Sequence, residues 1–310
     1  MKPAYIGIDI GKDRLDVFIP DQGASAYMND KHGIRSLIKA LTILEGPIHI
    51  ICEPTAGYER KLVTALWDAS IPLTLANTYR VRSFARSQGH LAKTDKLDAR
   101  VLSEYGRVNE PKASIKPDSK QLLIEQLMDR LDQLDHLRTQ ELNRLHQSDP
   151  KDIVHKSLKA VLRTIETQIE KLREQVKETI EEDPQLKAKA DKMQTTTGVG
   201  EQTAAKMLAY MPELGSLSRQ QAAALAGLAP MNWDSGYMKG QRHIRAGRAK
   251  VRRALYMAAV CMSTYNRQAK AVYDRLVLKG KAKKIALVAV MRHLIIHLNS
   301  LLKPPSLALI

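Results

Sequence analysis

The chain has 310 residues, enough for two or three domains, with 49 Lys and Arg against 33 Asp and Glu and a formal net charge of +16. So basic a balance implies a polyanionic partner, because phosphate contacts supply most non-specific nucleic-acid affinity. Two cysteines exclude a disulfide framework and a paired-cysteine zinc site.

Strand and helix signals alternate over the first 76 residues. Ala4–Ile10 and Arg14–Val17 read as two strands joined by the turn residues Gly11, Lys12 and Asp13. Ile6, Ile8 and Ile10 share one face; Tyr5, Gly7 and Asp9 share the other. Asp9 in so apolar a strand either caps the turn or binds a cation, since an unpaired buried carboxylate is costly. Ala24–Met28 is a candidate third strand, and 32–44 has helical spacing. Ile48–Glu53 is another strand, again ending in one carboxylate. A break at Pro54–Gly57 leads to a helix over 58–69, and Ile71–Ala76 completes the set. Three strands, helix, strand, helix, strand is the order of the ribonuclease-H-like fold, in which ligands gather at the carboxyl ends of the central strands.

From Tyr79 to Tyr105 the chain reads as helical and basic. Asp95 and Asp98 lie one turn apart on a single face, where like charges repel unless a cation lies between them. Pro111 and Pro117 mark a boundary. Beyond it, 120–146 carries Leu123, Leu127, Leu131, Leu134 and Leu137 at helical spacing. After Asp149-Pro150, Ile153–Ile180 continues with Leu158, Val161, Leu162, Ile165, Ile169, Leu172 and Val176. Two long helices with a narrow apolar seam predict an antiparallel coiled-coil hairpin, closing on itself or on a second copy.

The last region opens at Asp183-Pro184. Gly198-Val199-Gly200 before a helix of small residues is either an ordinary helix-to-helix turn or resembles the hairpin of a helix-hairpin-helix element, whose backbone N–H groups can bind a phosphate. Ser218 caps a short helix to Ala226. Lys239–Arg253 holds Lys239, Arg242, Arg245, Arg248, Lys250, Arg252 and Arg253 and no acidic residue, which reads as a phosphate-binding surface rather than a solvated face. The final helix, 281–302, reads as core packing. The N-terminus shows no signal-peptide pattern, and the run Ile285–Met291 is too short to span a bilayer. The expectation is a cytoplasmic protein with no membrane partner. The predicted architecture is α/β plus α: 1–112 catalytic, 113–183 coiled-coil hairpin, and 184–310 an all-helical domain.

Four carboxylates on that strand order suit phosphodiester chemistry with one or two magnesium ions. The segments Tyr5–Lys12, Cys52–Gly57 and Lys93–Ala99 closely resemble the signatures of the DEDD insertion-sequence transposases, the Piv-invertase-like, bridge-RNA-guided recombinases. Thr197–Gly200, Leu225–Pro230, Ser235-Gly236, Arg245–Gly247 and Arg252–Tyr256 resemble that family as well, in the same order. The resemblance implies a RuvC-like domain in which Asp9, Glu53, Asp95 and Asp98 bind magnesium. It further implies that Ser235 cleaves DNA through a phosphoserine link, that the protein is a tetramer, and that a structured guide RNA pairs with donor and target DNA. By itself, a serine before glycine reads as a turn residue. A Holliday-junction-resolvase-like nuclease using water, and a non-catalytic nucleic-acid scaffold, are the alternatives.

Overall fold

A computed structural model describes residues 2–89, 95–232, 234–235, 238–240 and 242–304, with backbone alone at 95–97, 234–235 and 238–239. The chain divides into two compact units, Met1–Lys116 and Pro117–Ile310.

In the first unit, β1 (Ala4–Ile10), β2 (Arg14–Ile19), β3 (Gly23–Met28), β4 (Ile48–Cys52) and β5 (Leu73–Leu75) form one sheet in the order β3-β2-β1-β4-β5. The first three strands run antiparallel as a meander, whereas β4 and β5 run parallel to β1. Helices cover both faces. Ile6, Ile8 and Ile10 pack against α1 (Lys31–Thr42) and α2 (Arg60–Asp68) through Leu37, Leu41, Leu62 and Leu66. Tyr5 and Ile51 face the other way, toward α3 (Thr78–Ser87) and α4 (Asp95–Asn109) through Val81, Leu102 and Tyr105. The stretch read as helical over 79–105 contains the two helices α3 and α4. Past α4 the chain returns along β5: Ser114 N–H donates to Leu73 O, Leu75 N–H donates to Ser114 Oγ, and Lys116 pairs with Asp68. Cys52 is buried in this unit, and burial raises its thiol to about 12.

The second unit opens with α5 (Ser119–Gln147) and α6 (Ile153–Glu181), two antiparallel helices of 29 residues each. The seam on α5 differs from the sequence reading. Ile124, Met128, Leu131 and Leu134 are buried while Leu123 and Leu137 are exposed. The reason is that Ile124 and Met128 join a core shared with Val199, Met207 and Leu208, so the N-terminal half of α5 turns its face toward the helices that follow. Those are α7 (Pro184–Gln194), α8 (Glu201–Tyr210), α9 (Arg219–Leu225), α10 (Ala249–Tyr265), α11 (Arg267–Leu278) and α12 (Lys283–Leu301). A capping box between Ser218 and Gln221 starts α9.

This region is not all-helical. β6 (Pro230–Met231) pairs with β9 (His243–Ile244), and β7 (Asp234–Ser235) pairs with β8 (Met238–Lys239), both antiparallel. The four glycines Gly227, Gly236, Gly240 and Gly247 and the lack of any 3.6-residue apolar period favour turns and short ribbons there. Helix α12 is long and apolar enough to cross a membrane by length and composition. Its residues Ala286, Val290, Leu294 and Leu298 nevertheless lie in the core, and Asn299 on the same helix accepts from Gly215 N–H and donates to Leu217 O.

Candidate active site

The carboxyl ends of β1 and β4 are neighbours. Ile8 lies beside Cys52 in the parallel register, so the next residues, Asp9 and Glu53, come side by side. Parallel strands are about 4.8 Å apart, which brings the two carboxylates into one small volume. Both are half-buried.

Helix α4 supplies the third acid because glycine lets it approach. A Cβ at Gly7 would stand 1.9 Å from the Ala99 carbonyl oxygen and 2.6 Å from the Ser103 nitrogen. Ser103 Oγ donates to Tyr5 O at 2.6 Å, and Gly106 fits over Tyr5 and Ile51 in the same way. Going from Tyr5 to Gly7 along β1 corresponds to going from Ser103 to Ala99 along α4. The helix thus runs antiparallel over the strand, and its first turn arrives over Asp9. Asp98, half-buried, sits in that turn. Asp95 is the first residue of α4, and its side chain lies outside the described residues.

The charges register this proximity. Burial is the chief reason that Glu53 is held above the ordinary carboxylate range, and the negative charges of Asp9 and Asp98 add to it. A hydrogen bond from Thr78 and the positive charge of Arg82 act in the opposite direction. One oxygen of Glu53, Oε1, is buried without a hydrogen-bond partner. Such an oxygen among other hard oxygen donors suits a divalent cation. Among the described residues, no three of the His, Cys, Asp and Glu side chains converge tightly enough to hold an ion.

Sequence reasoning passed over several neighbours. Asp16 on β2 is the cross-strand partner of Asp9 and so shares its face; only 8% of it is exposed, and Arg14 donates to it from Nε and Nη2 at 3.1 and 2.8 Å. Counting the hairpin register from Ile10 opposite Leu15 would have found it. Glu59 locks the loop after Glu53, since Oε2 accepts from both Thr55 N–H and Gly57 N–H at 2.9 Å. Thr78 and Arg82 carried no motif.

In the second unit, Ser235 lies in β7 opposite Met238, with its side chain outside the described residues. Gly198 has φ +84° and a Cβ there would meet Ala258 O at 2.6 Å, so the turn itself requires glycine. Gly200 caps α8 with open space where a Cβ would go. Several of the basic residues have partners that the local sequence hid. Arg248 donates from Nη1 and Nη2 to Glu213 at 2.7 and 2.6 Å and from Nη1 to Tyr210 O. Lys250 pairs with Asp129 at 2.5 Å, Arg253 approaches Asp132 at 3.9 Å, and Arg252 donates to Ala246 O. The acids come from α5 and from the segment after α8, remote in sequence. Arg242 and Arg245 are exposed.

Comparison with known proteins adds the following. A family profile described as "Transposase", of DEDD type, matches residues 6–148, and one described as "Transposase IS116/IS110/IS902 family" matches residues 190–274. A pilin gene-inverting protein of Moraxella lacunata is 29% identical over 307 residues, covering 95% of this chain and 94% of that protein. A pilin gene-inverting protein of Moraxella bovis is 30% identical over 307 residues with the same coverage of 95% and 94%.

Proposed function

Starting from the fact that this chain belongs to the IS116/IS110/IS902 transposase family, and is therefore an enzyme that rearranges DNA, we propose that it cuts and rejoins DNA strands using Asp9, Glu53, Asp95 and Asp98 with Ser235. The observation that carries this reading is the register that sets Asp9 beside Glu53, with the first turn of α4 laid over them. The sheet order, a meander followed by two parallel strands, supports a ribonuclease-H-like, RuvC-like domain.

Asp9, Glu53 and Asp98 would hold magnesium together with Asp95, whose side chain lies outside the described residues, because no three described side chains are grouped as an ion site by themselves. The orphaned Glu53 oxygen and the mutual repulsion of the acids both favour a bound cation. When bound, such an ion activates an attacking oxygen and stabilises a departing one. The protein's own part is geometric. Strand ends and a closely packed helix fix the acids, while Arg14 fixes Asp16 beside them and Thr78 orients Glu53.

Ser235 is the nucleophile in this reading. Its Oγ bonds to phosphorus as the phosphodiester P–O bond breaks; the serine proton leaves, and the departing sugar oxygen gains one. The reverse step rejoins strands with no external energy source. Arg242 and Arg245 are exposed and would meet the phosphate. Arg248, Lys250, Arg252 and Arg253, already engaged within the chain, would hold that surface in shape, and Gly198 and Gly200 would present backbone N–H groups at the start of α8. The +16 charge suits DNA donor and target as polyanionic partners; a guide RNA, a tetrameric assembly and a cytoplasmic location belong to the same proposal. The proposed functional division into 1–112, 113–183 and 184–310 is finer than the two compact units, Met1–Lys116 and Pro117–Ile310.

Incubation of labelled DNA with magnesium and copurified RNA, followed by denaturing electrophoresis, tests the reading. Protein should stay covalently attached to DNA; Ser235→Ala should abolish that adduct, and Asp9→Ala or Glu53→Ala should abolish cleavage. Cleavage that survives Ser235→Ala without any adduct would identify a water-using nuclease. Rearrangement that survives loss of both carboxylates would leave only a scaffold.

A further inference from the structure

Helix α3 starts at the edge of the carboxylate site and leads away from it. Cys52 is beside Leu75 in the register, and Ala76 N–H donates to Cys52 O at 2.8 Å, so Glu53 and the start of α3 leave the sheet together. Asn77 caps the helix by accepting from Arg80 N–H, and Thr78 in the first turn hydrogen-bonds Glu53. Thr78, Arg82 and Arg86 recur every fourth residue and form one row, with Tyr79 and Ser83 alongside. Successive members stand about 6 Å apart along the axis. Arg82, Arg86, Tyr79 and Ser83 are all exposed.

The opposite side of α3 is fastened down. Val81 is buried, and the Phe84 ring meets the Tyr105 ring edge-on at 5.7 Å, on the helix that also bears Asp98. The row is therefore rigidly tied to two of the acids. Thr78–Ser87 contains three arginines and no acidic residue. A helix so composed, aimed at a cluster of carboxylates, answers a need: a polyanionic strand entering that cluster is repelled unless cations line its approach. Arginine is suited to this because its planar fork takes two phosphate oxygens at once.

We propose that the Thr78–Arg82–Arg86 row of α3 is a phosphate-binding track that guides the DNA strand to be cut toward Asp9, Glu53 and Asp98. The track rests on the DNA-cutting reading of that site proposed above. DNA is its ligand because the phosphates it holds are continuous with those reaching the carboxylates. Tyr79 offers a ring face to an unstacked base beside the track.

Binding of labelled duplex DNA, single-stranded DNA and RNA to the full chain in EDTA, titrated with salt, tests this without any chemistry. Arg82→Gln with Arg86→Gln should flatten the slope of log K against log salt by about 1.8 on duplex DNA, at about 0.9 per phosphate contact. Arg82→Lys with Arg86→Lys should restore most of it. Arg35→Gln, an exposed arginine on α1 across the sheet, should leave the slope unchanged, and circular dichroism should show every variant folded. An unchanged slope in the double Gln variant overturns the track even if the wild type cleaves DNA. So does a change confined to RNA. Lost DNA binding in a protein whose wild type forms no covalent adduct would keep the track and remove the serine.

Discussion

Glu53 sits in surroundings that oppose its own charge. Burial, then Asp9 and Asp98, hold its carboxyl above the ordinary range, so the folded protein without metal binds that proton more tightly than the unfolded chain. The sign follows from linkage. Below the ordinary carboxylate value both states are protonated and nothing is lost; as pH rises through the raised folded value, stability falls. Glu53→Gln should therefore raise Tm in EDTA at neutral pH and remove this fall, as differential scanning fluorimetry across pH can read. Magnesium should raise the wild-type Tm more than that of the variant. The same residue shows what sequence can disclose. A lone acid at a strand end stood out against its apolar strand. Asp16 did not, because in β2 it alternates with apolar residues as any exposed strand residue would, and only the register to Asp9 gives it meaning.

At the level of elements, the strands were the most legible part, since β-branched runs punctuated by turn residues leave little choice of period. The order of five strands and the helices between them could be read directly. What escaped was whatever depends on packing at a distance. The buried face of α5 follows Ile124 and Met128 rather than Leu123 and Leu137, because α8 competes with α6 for it. The basic stretch near α10 looked unbalanced for the same reason: Glu213, Asp129 and Asp132 lie far off in sequence. The contact of α4 with β1 is the element pair on which the site depends. Gly7→Ala places a methyl inside the Ala99 carbonyl, so α4 must shift. Overpacking of this kind costs about 1–3 kcal/mol. Urea unfolding should show that loss, and DNA cleavage should fall further than stability does, since Asp98 moves with the helix.

On the scale of the whole molecule, the first unit owns its core. Both faces of its sheet are covered from within Met1–Lys116. Residues 113–116 belong to it physically, because Ser114 serves the β5 edge twice and Lys116 pairs with Asp68. Prolines 111 and 117 marked the boundary in the sequence, but they could not say which side the intervening residues join. A fragment of residues 1–116 should fold cooperatively, with a single thermal transition. A fragment of residues 1–112, stripped of the cover on β5, should melt several degrees lower or aggregate. Equal Tm values for the two fragments would show the cover to be dispensable.

The two thiols of the chain are unequal in a way that experiments can use. Cys52 is sealed beneath the sheet and held as the neutral thiol, while Cys261 on α10 is partly open to solvent. A maleimide dye added to the native protein should therefore attach at one address alone, reporting on the helical unit without any cysteine having to be engineered away.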